Sequence, residues 1–126
     1  MANNKTLGTA FERELCQILK DKGMWVHFIE PNKTGAQPFD VIAVANNIPI
    51  AIDCKTSARA VFPVTRLQDN QVFAFNKWLD CGNEYAVIAV KHNEKIYFID
   101  FDWLMEEEKL KLADCATMNE WFKGRF

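Results

Sequence analysis

Residues 39–55 read FDVIAVANNIPIAIDCK: two apolar runs, Phe39–Ala45 and Ile48–Lys55, on either side of Asn46-Asn47. Asparagine tolerates the positive φ that a two-residue hairpin turn demands, so this spacing predicts an antiparallel hairpin. With that turn Ala45 pairs with Ile48, and counting outward sets Asp40 opposite Asp53. Directly opposed residues bring their Cβ atoms to about 4.5–5.5 Å on one face of a sheet. Lys55, two residues beyond Asp53, projects from the same face. A three-residue loop would slip the register and part the two acids.

Two facing carboxylates between apolar strands are costly, because like charges repel and burial penalises each of them. Such a pair is expected where a cation compensates, and oxygen ligands suit Mg²⁺, Mn²⁺ or Ca²⁺. The alternative is structural: Asp53 and Lys55 as a solvated strand end and Asp40 as a loop cap.

A chain of 126 residues, 49% hydrophobic and 25% charged, is expected to form one domain spanning 1–126 with a sizeable core. Its body runs from about residue 7 to 101, followed by a helical tail over 102–126. The net charge of -2 offers no general attraction to a polyanion, so any nucleic-acid partner must meet a local basic patch. Cys16, Cys54, Cys81 and Cys115 show no zinc-ligand spacing and fit reduced thiols. No apolar signal core opens the chain and no run approaches membrane-spanning length, which predicts a cytoplasmic protein with no membrane partner.

Around the hairpin the elements follow from periodicity. Phe11, Leu15, Ile18 and Leu19 form the stripe of a first helix ending near Gly23. Thr9 and Glu12 have the T-x-x-E spacing of a capping box at its start. Met24–Ile29 predicts a strand, and the loop EPNKTGAQP leads into the hairpin. Residues 56–71, TSARAVFPVTRLQDNQ, read as irregular. A second helix is expected over Leu67–Leu79, then strands over Glu84–Lys91 and Lys95–Phe101 with a turn at His92-Asn93-Glu94. A short solvated helix follows from Trp103, and MNEWFKGRF holds aromatic anchors without a motif. The order is an α/β mixed sheet with helices on its flanks.

Asp40, followed thirteen residues later by Asp53-x-Lys55 at a strand end, resembles the PD-(D/E)XK nuclease superfamily. Gly8-Thr-Ala-Phe-Glu12 and Thr56…Phe62-Pro63…Gln71 are similar to segments of RecU-type Holliday junction resolvases. The resemblance covers roughly Gly8 to Asp100. It implies a restriction-endonuclease-like core and Mg²⁺-dependent cleavage of DNA, with Mn²⁺ as substitute. Asp40, Asp53 and the Cys54 backbone carbonyl would be metal ligands, Glu12 would reach the metal through a water, and Lys55 would orient the attacking water. Gln71 would position water or phosphate, unless it is merely a polar residue on an exposed helix face. Lys33, Thr34, Arg59, Arg66 and Lys77 are candidate DNA contacts, each of which could equally be a plain surface group. A homodimer acting on branched DNA is implied, because paired symmetric cuts suit two related sites. Two alternatives stay open: a restriction- or repair-type nuclease on duplex or flapped DNA, and a non-catalytic DNA-binding module. The chain departs from the RecU-type pattern in having Asp53 for a glutamate, Asn70 for a histidine, and a short loop before Asp40.

Overall fold

The computed structural model describes residues 4–31 and 37–126, with the backbone alone at 4–7. Helix α1 (Asn4–Asp21) is followed by strands β1 (Trp25–Phe28), β2 (Val41–Ala45), β3 (Ile48–Thr56) and β4 (Val61–Pro63). Then come α2 (Asp69–Asp80), β5 (Tyr85–His92), β6 (Lys95–Asp100), α3 (Phe101–Glu107), β7 (Lys109–Lys111) and α4 (Met118–Lys123).

The hairpin forms with the expected register. Asn46 and Asn47 take φ of 52° and 64°, both in the left-handed region of a type I′ turn. The pairs run from Ala45–Ile48 to Val41–Ile52. β1, β2, β3, β5 and β6 lie side by side in one sheet, antiparallel except for the parallel β3–β5 pair. A parallel pair needs a long crossover connection, and the chain between β3 and β5 supplies it with α2.

Side-chain alternation along β3 divides the core in two. Ile50, Ile52 and Cys54 pack on one face with Phe11, Leu15 and Leu19 of α1 and Trp121 of α4. Ala51 packs on the opposite face with Phe75 of α2 and Phe101 and Leu104 of α3. Asp53 and Lys55 share that second face by the strand period of two. α1 ends where Gly23, at φ 88°, lets its N–H reach Lys20 O (2.9 Å) and the Met24 N–H reach Leu19 O (3.2 Å), a Schellman ending.

Three expectations change. The segment after Lys55 is not all irregular: β4 pairs with β7, setting Phe62 opposite Leu110, and both are buried. α1 already begins at Asn4, so Thr9 and Glu12 sit inside the helix and form no cap at its start. The last residues are also part of the core. α4 is closed by a capping box in which Thr117 Oγ1 accepts from Glu120 N (3.3 Å) and Glu120 Oε1 accepts from Thr117 N (2.9 Å). It delivers Trp121, 1% exposed, against Tyr85 and Phe98.

Candidate active site

β3 is longer than its neighbour, and that difference makes the site. β2 pairs with it only as far as Ile52, so residues 53–56 have no strand partner on that side. The next rung, Asp40 against Asp53, does not form in the ladder. Asp40 instead donates its N–H to Ile52 O (3.0 Å) and accepts the Cys54 N–H on Oδ2 (2.8 Å). The Cys54 N–H and C=O point to the same edge of β3 by the alternation of strand backbone groups. The carbonyl therefore lies beside the Asp40 carboxylate, on the open edge of β3.

Asp53 is wholly buried. Its Oδ1 accepts from Gln71 Nε2 (2.8 Å), and Lys55 Nζ lies 3.1 Å from Oδ2. That ammonium makes a charge-assisted contact with Oδ2, which has no other partner among the described residues. Burial, then the neighbouring Asp40, raise the Asp53 pKa well above the usual carboxylate range, against the pull of Lys55. Gln71, 6% exposed, is no surface residue. Its Oε1 accepts from Lys55 Nζ (3.2 Å) and from the Gln68 N–H (3.0 Å). The first turn of α2 thus fixes an amide that bridges Asp53 and Lys55.

Glu12 approaches the same gap from α1. Its carboxyl is raised from 4.5 to about 7, first by burial, then by the charge of Asp40, with Lys55 opposing. Asp53, Lys55 and Gln71 are therefore in direct contact, Asp40 stands beside them on the Cys54 N–H, and Glu12 on α1 is near enough for its carboxyl to feel the charges of Asp40 and Lys55.

Other predicted site residues lie elsewhere. Arg59 and Arg66 border a cleft that continues from Lys55. Lys77 lines a separate groove on α2 with Phe39, Phe73 and Trp78. Lys33 and Thr34 lie outside the described residues. Gln68 was missed by sequence reasoning: it forms a capping box with Gln71 at the start of α2, but with glutamine where Ser or Thr is the usual signal.

Among the described residues, no three His, Cys, Asp or Glu side chains stand close enough to cage a metal ion by themselves. A Mg²⁺-like ion does not need such a cage, since it keeps several waters and takes one or two carboxylates. Asp40 and Asp53 with the Cys54 carbonyl fit that description, and the buried Oδ2 of Asp53, met only by the Lys55 ammonium among the described residues, keeps lone-pair capacity for a cation.

The five-stranded mixed sheet with its flanking helices is a restriction-endonuclease-like fold. Two solved structures share the fold. One is Archaeoglobus fulgidus Hjc, a Holliday junction resolvase from an archaeal hyperthermophile (TM-score 0.70, 22% identity, covering 93% of this chain and 99% of that one). The other is the bacterial homing endonuclease I-Ssp6803I (TM-score 0.60, 13% identity, 87% and 75%). The sequence profile of the archaeal Holliday junction resolvase (Hjc) family matches residues 3–121, and the chain belongs to that family. This places it with the archaeal-type resolvases rather than the RecU type that its motifs resemble. Crossover junction endodeoxyribonuclease Hjc of Methanocaldococcus jannaschii is 28% identical over 93 residues, covering 74% of this chain and 65% of that protein. Crossover junction endodeoxyribonuclease Hje of Sulfolobus acidocaldarius is 32% identical over 92 residues, covering 72% and 66%. The matched region thus spans a little under two thirds of the length of both relatives. No helix among the described residues is long and apolar enough to cross a membrane.

Proposed function

We propose that this chain is a divalent-metal-dependent endonuclease that cuts branched DNA, four-way junctions above all. The observation that carries this is the convergence of Asp40, Asp53 and Lys55 at the unpaired end of β3, with Glu12 reaching in from α1. Family membership supports the substrate class.

Asp40, Asp53 and the Cys54 carbonyl would hold Mg²⁺, or Mn²⁺ in its place. When bound, such an ion supplies Lewis-acid polarisation of the phosphate and a water of lowered pKa. The protein side chains divide the remaining work. Lys55 presents its ammonium where negative charge develops on the phosphate, and Gln71 holds it against Asp53. Glu12, whose carboxyl is pushed up to about 7 by burial in the metal-free protein, would be drawn to its ionised form by a bound cation and would then accept a hydrogen bond from a metal-held water.

Two symmetric cuts at a junction call for two copies of a chain with one site. Phe73 on α2 is 72% exposed and Trp25 on β1 is 60% exposed, the most exposed large apolar side chains among the described residues. Val26 and Phe28 pack toward α1, so Trp25 lies on the α2 side of the sheet with Phe73. A homodimer covering this face accounts for both, and Phe73→Asp should shift the protein to monomer in light scattering.

The deciding assay incubates protein and Mg²⁺ or Mn²⁺ with labelled linear, flapped, Y-shaped and four-way DNA. Cleavage of the four-way substrate should exceed the others. Asp53→Asn and Lys55→Ala should each lower it by ~10²-fold or more, the scale for losing a preorganised charge contact, while DNA binding survives. Activity within about tenfold of the parent, ~1.4 kcal/mol of barrier, in either variant would reject the assignment. Preferential cleavage of flapped or linear duplex would instead favour a repair- or restriction-type nuclease.

A further inference from the structure

Beyond Lys55 the end of β3 opens into a cleft of about 780 Å³. Thr56, Ser57, Arg59 and Arg66 line it together with Gly8 of α1. Among the described residues three of its lining side chains are cationic and none is acidic, in a chain of net charge -2. Among the described residues no aromatic ring lines it, so it suits a sugar-phosphate backbone rather than stacked bases.

Arg66 is already placed. Its Nη2 donates to the Thr56 carbonyl (2.8 Å), and its guanidinium lies 5.3 Å from the centre of the Phe62 ring. A guanidinium carries five N–H donors, so this bond leaves others for an anion. The held side chain also has less rotamer freedom to lose on binding. Arg59 sits on a turn closed at both ends by Ser57 Oγ, which donates to Arg59 O (2.8 Å) and accepts the Arg59 N–H (3.2 Å). Gly8 is inside α1, where glycine is unfavourable. A Cβ added there would meet nothing within 4 Å, so the missing side chain leaves the wall set back.

We propose that this cleft is the track of the cleaved strand, with Arg59 and Arg66 on a phosphodiester flanking the one cut beside Lys55. The proposal rests on the nuclease function above. It treats the cleft as a sequence-independent contact that sets how firmly the strand is held, not how fast the bond breaks.

The test measures cleavage of a labelled four-way DNA junction with Mn²⁺ over a range of salt, together with melting curves. Arg59→Gln and Arg66→Gln should each raise KM several-fold with little change in kcat. Each should also lower the slope of log affinity against log salt by about one. Gly8→Leu, which fills the open wall, should raise KM about tenfold without lowering the melting temperature. Lys123→Ala, on α4, should match the parent. Arg59 makes no side-chain bond among the described residues, so its variant reads binding even if Arg66→Gln proves less stable. Parent-like KM and salt slope in Gly8→Leu and Arg59→Gln, with Asp53→Asn inactive, would overturn the strand track while leaving the nuclease site standing. Parent-like cleavage by Asp53→Asn would bring down the site itself and the track with it.

Discussion

Asp40 ends its strand by giving a carboxylate oxygen, not a backbone group, to the N–H of Cys54, 2.8 Å away. One side chain thereby satisfies the buried edge of β3 and holds a negative charge beside Asp53. The two roles separate by substitution. Asp40→Asn keeps an acceptor for Cys54 and removes the repulsion, so the metal-free protein should melt at the same temperature or higher. Asp40→Ala strands a buried N–H and should lose ~1–3 kcal/mol. A bound ion stabilises by RT ln(1 + [L]/Kd), about 2.7 kcal/mol at a hundredfold excess over Kd, and both variants should lose most of that rise. Equal Mn²⁺ stabilisation of parent and Asp40→Asn would remove Asp40 from the ligand set.

The raised pKa of Glu12 has a signed consequence. Between its ordinary 4.5 and about 7, the folded chain keeps a proton that the unfolded chain releases, so this group lowers stability as pH rises through that window. Below the window it contributes nothing, and above it the loss persists. Glu12→Gln is neutral throughout and should melt above the parent at about pH 8, yet match it at about pH 4, below the window. Asp53 acts in the same direction in both proteins and cancels in the comparison. Parallel metal-free melting profiles would show that the Glu12 carboxyl is not strained by its surroundings. The same variant should lose cleavage without unfolding.

Gln71 is placed to act through its neighbours. Its oxygen already has two donors, Lys55 Nζ and the Gln68 N–H, and its nitrogen serves Asp53. That leaves one amide N–H, and the three bonds already made to Lys55, Gln68 and Asp53 suit a positioning residue. Gln71→Met preserves volume but leaves Asp53 Oδ1 without a donor, at ~1–3 kcal/mol of stability. Cleavage should fall through kcat with KM for the junction unchanged, the mark of an interaction felt only in the transition state. A change confined to KM would mean that Gln71 touches DNA directly.

The hairpin was legible because its signals are local: an Asn-Asn turn and period-two strands fix the register, and the register carries Asp40 to the neighbourhood of Asp53. What the pattern did not show is that β2 stops one rung early. That depends on a side chain competing with the backbone for Cys54. The T-x-x-E spacing occurs at both Thr9–Glu12 and Thr117–Glu120, but only the second is a cap. Spacing alone cannot say where a helix begins, and α1 extends a further turn and more beyond Thr9. β4 and β7 have three residues each, too few to display a period. They exist because Phe62 and Leu110 bury each other. Gln71 read equally as a site residue and as a polar residue on an exposed helix face for a related reason: the bond that decides between them is to Asp53, eighteen residues away.

The C-terminal segment offers the last test, because it has no counterpart in the motifs that identify the site. Trp121 packs between Tyr85 and Phe98 at centroid distances of 5.3 and 5.4 Å, and its Nε1 donates to Asp100 Oδ1 (3.0 Å). Arg125 reaches the other oxygen of Asp100 (3.2 Å), so the end of the chain is tied to β6 by both rings and charges. Replacing a buried Trp by Ala removes its transfer free energy and leaves a cavity, together ~3–5 kcal/mol. A domain of this size has only ~5–15 kcal/mol of net stability, so Trp121→Ala should unfold at much lower urea concentration. Lys123→Ala, exposed on the same helix, should stay within about 0.5 kcal/mol of the parent. Because α4 lies against the face of the sheet that also carries α1, the loss should reach Glu12 as well. Cleavage by the Trp121→Ala protein should therefore fall more steeply with temperature than that of the parent. A cost below about 1 kcal/mol with an unchanged temperature profile would show that α4 is an appendage and not part of the core.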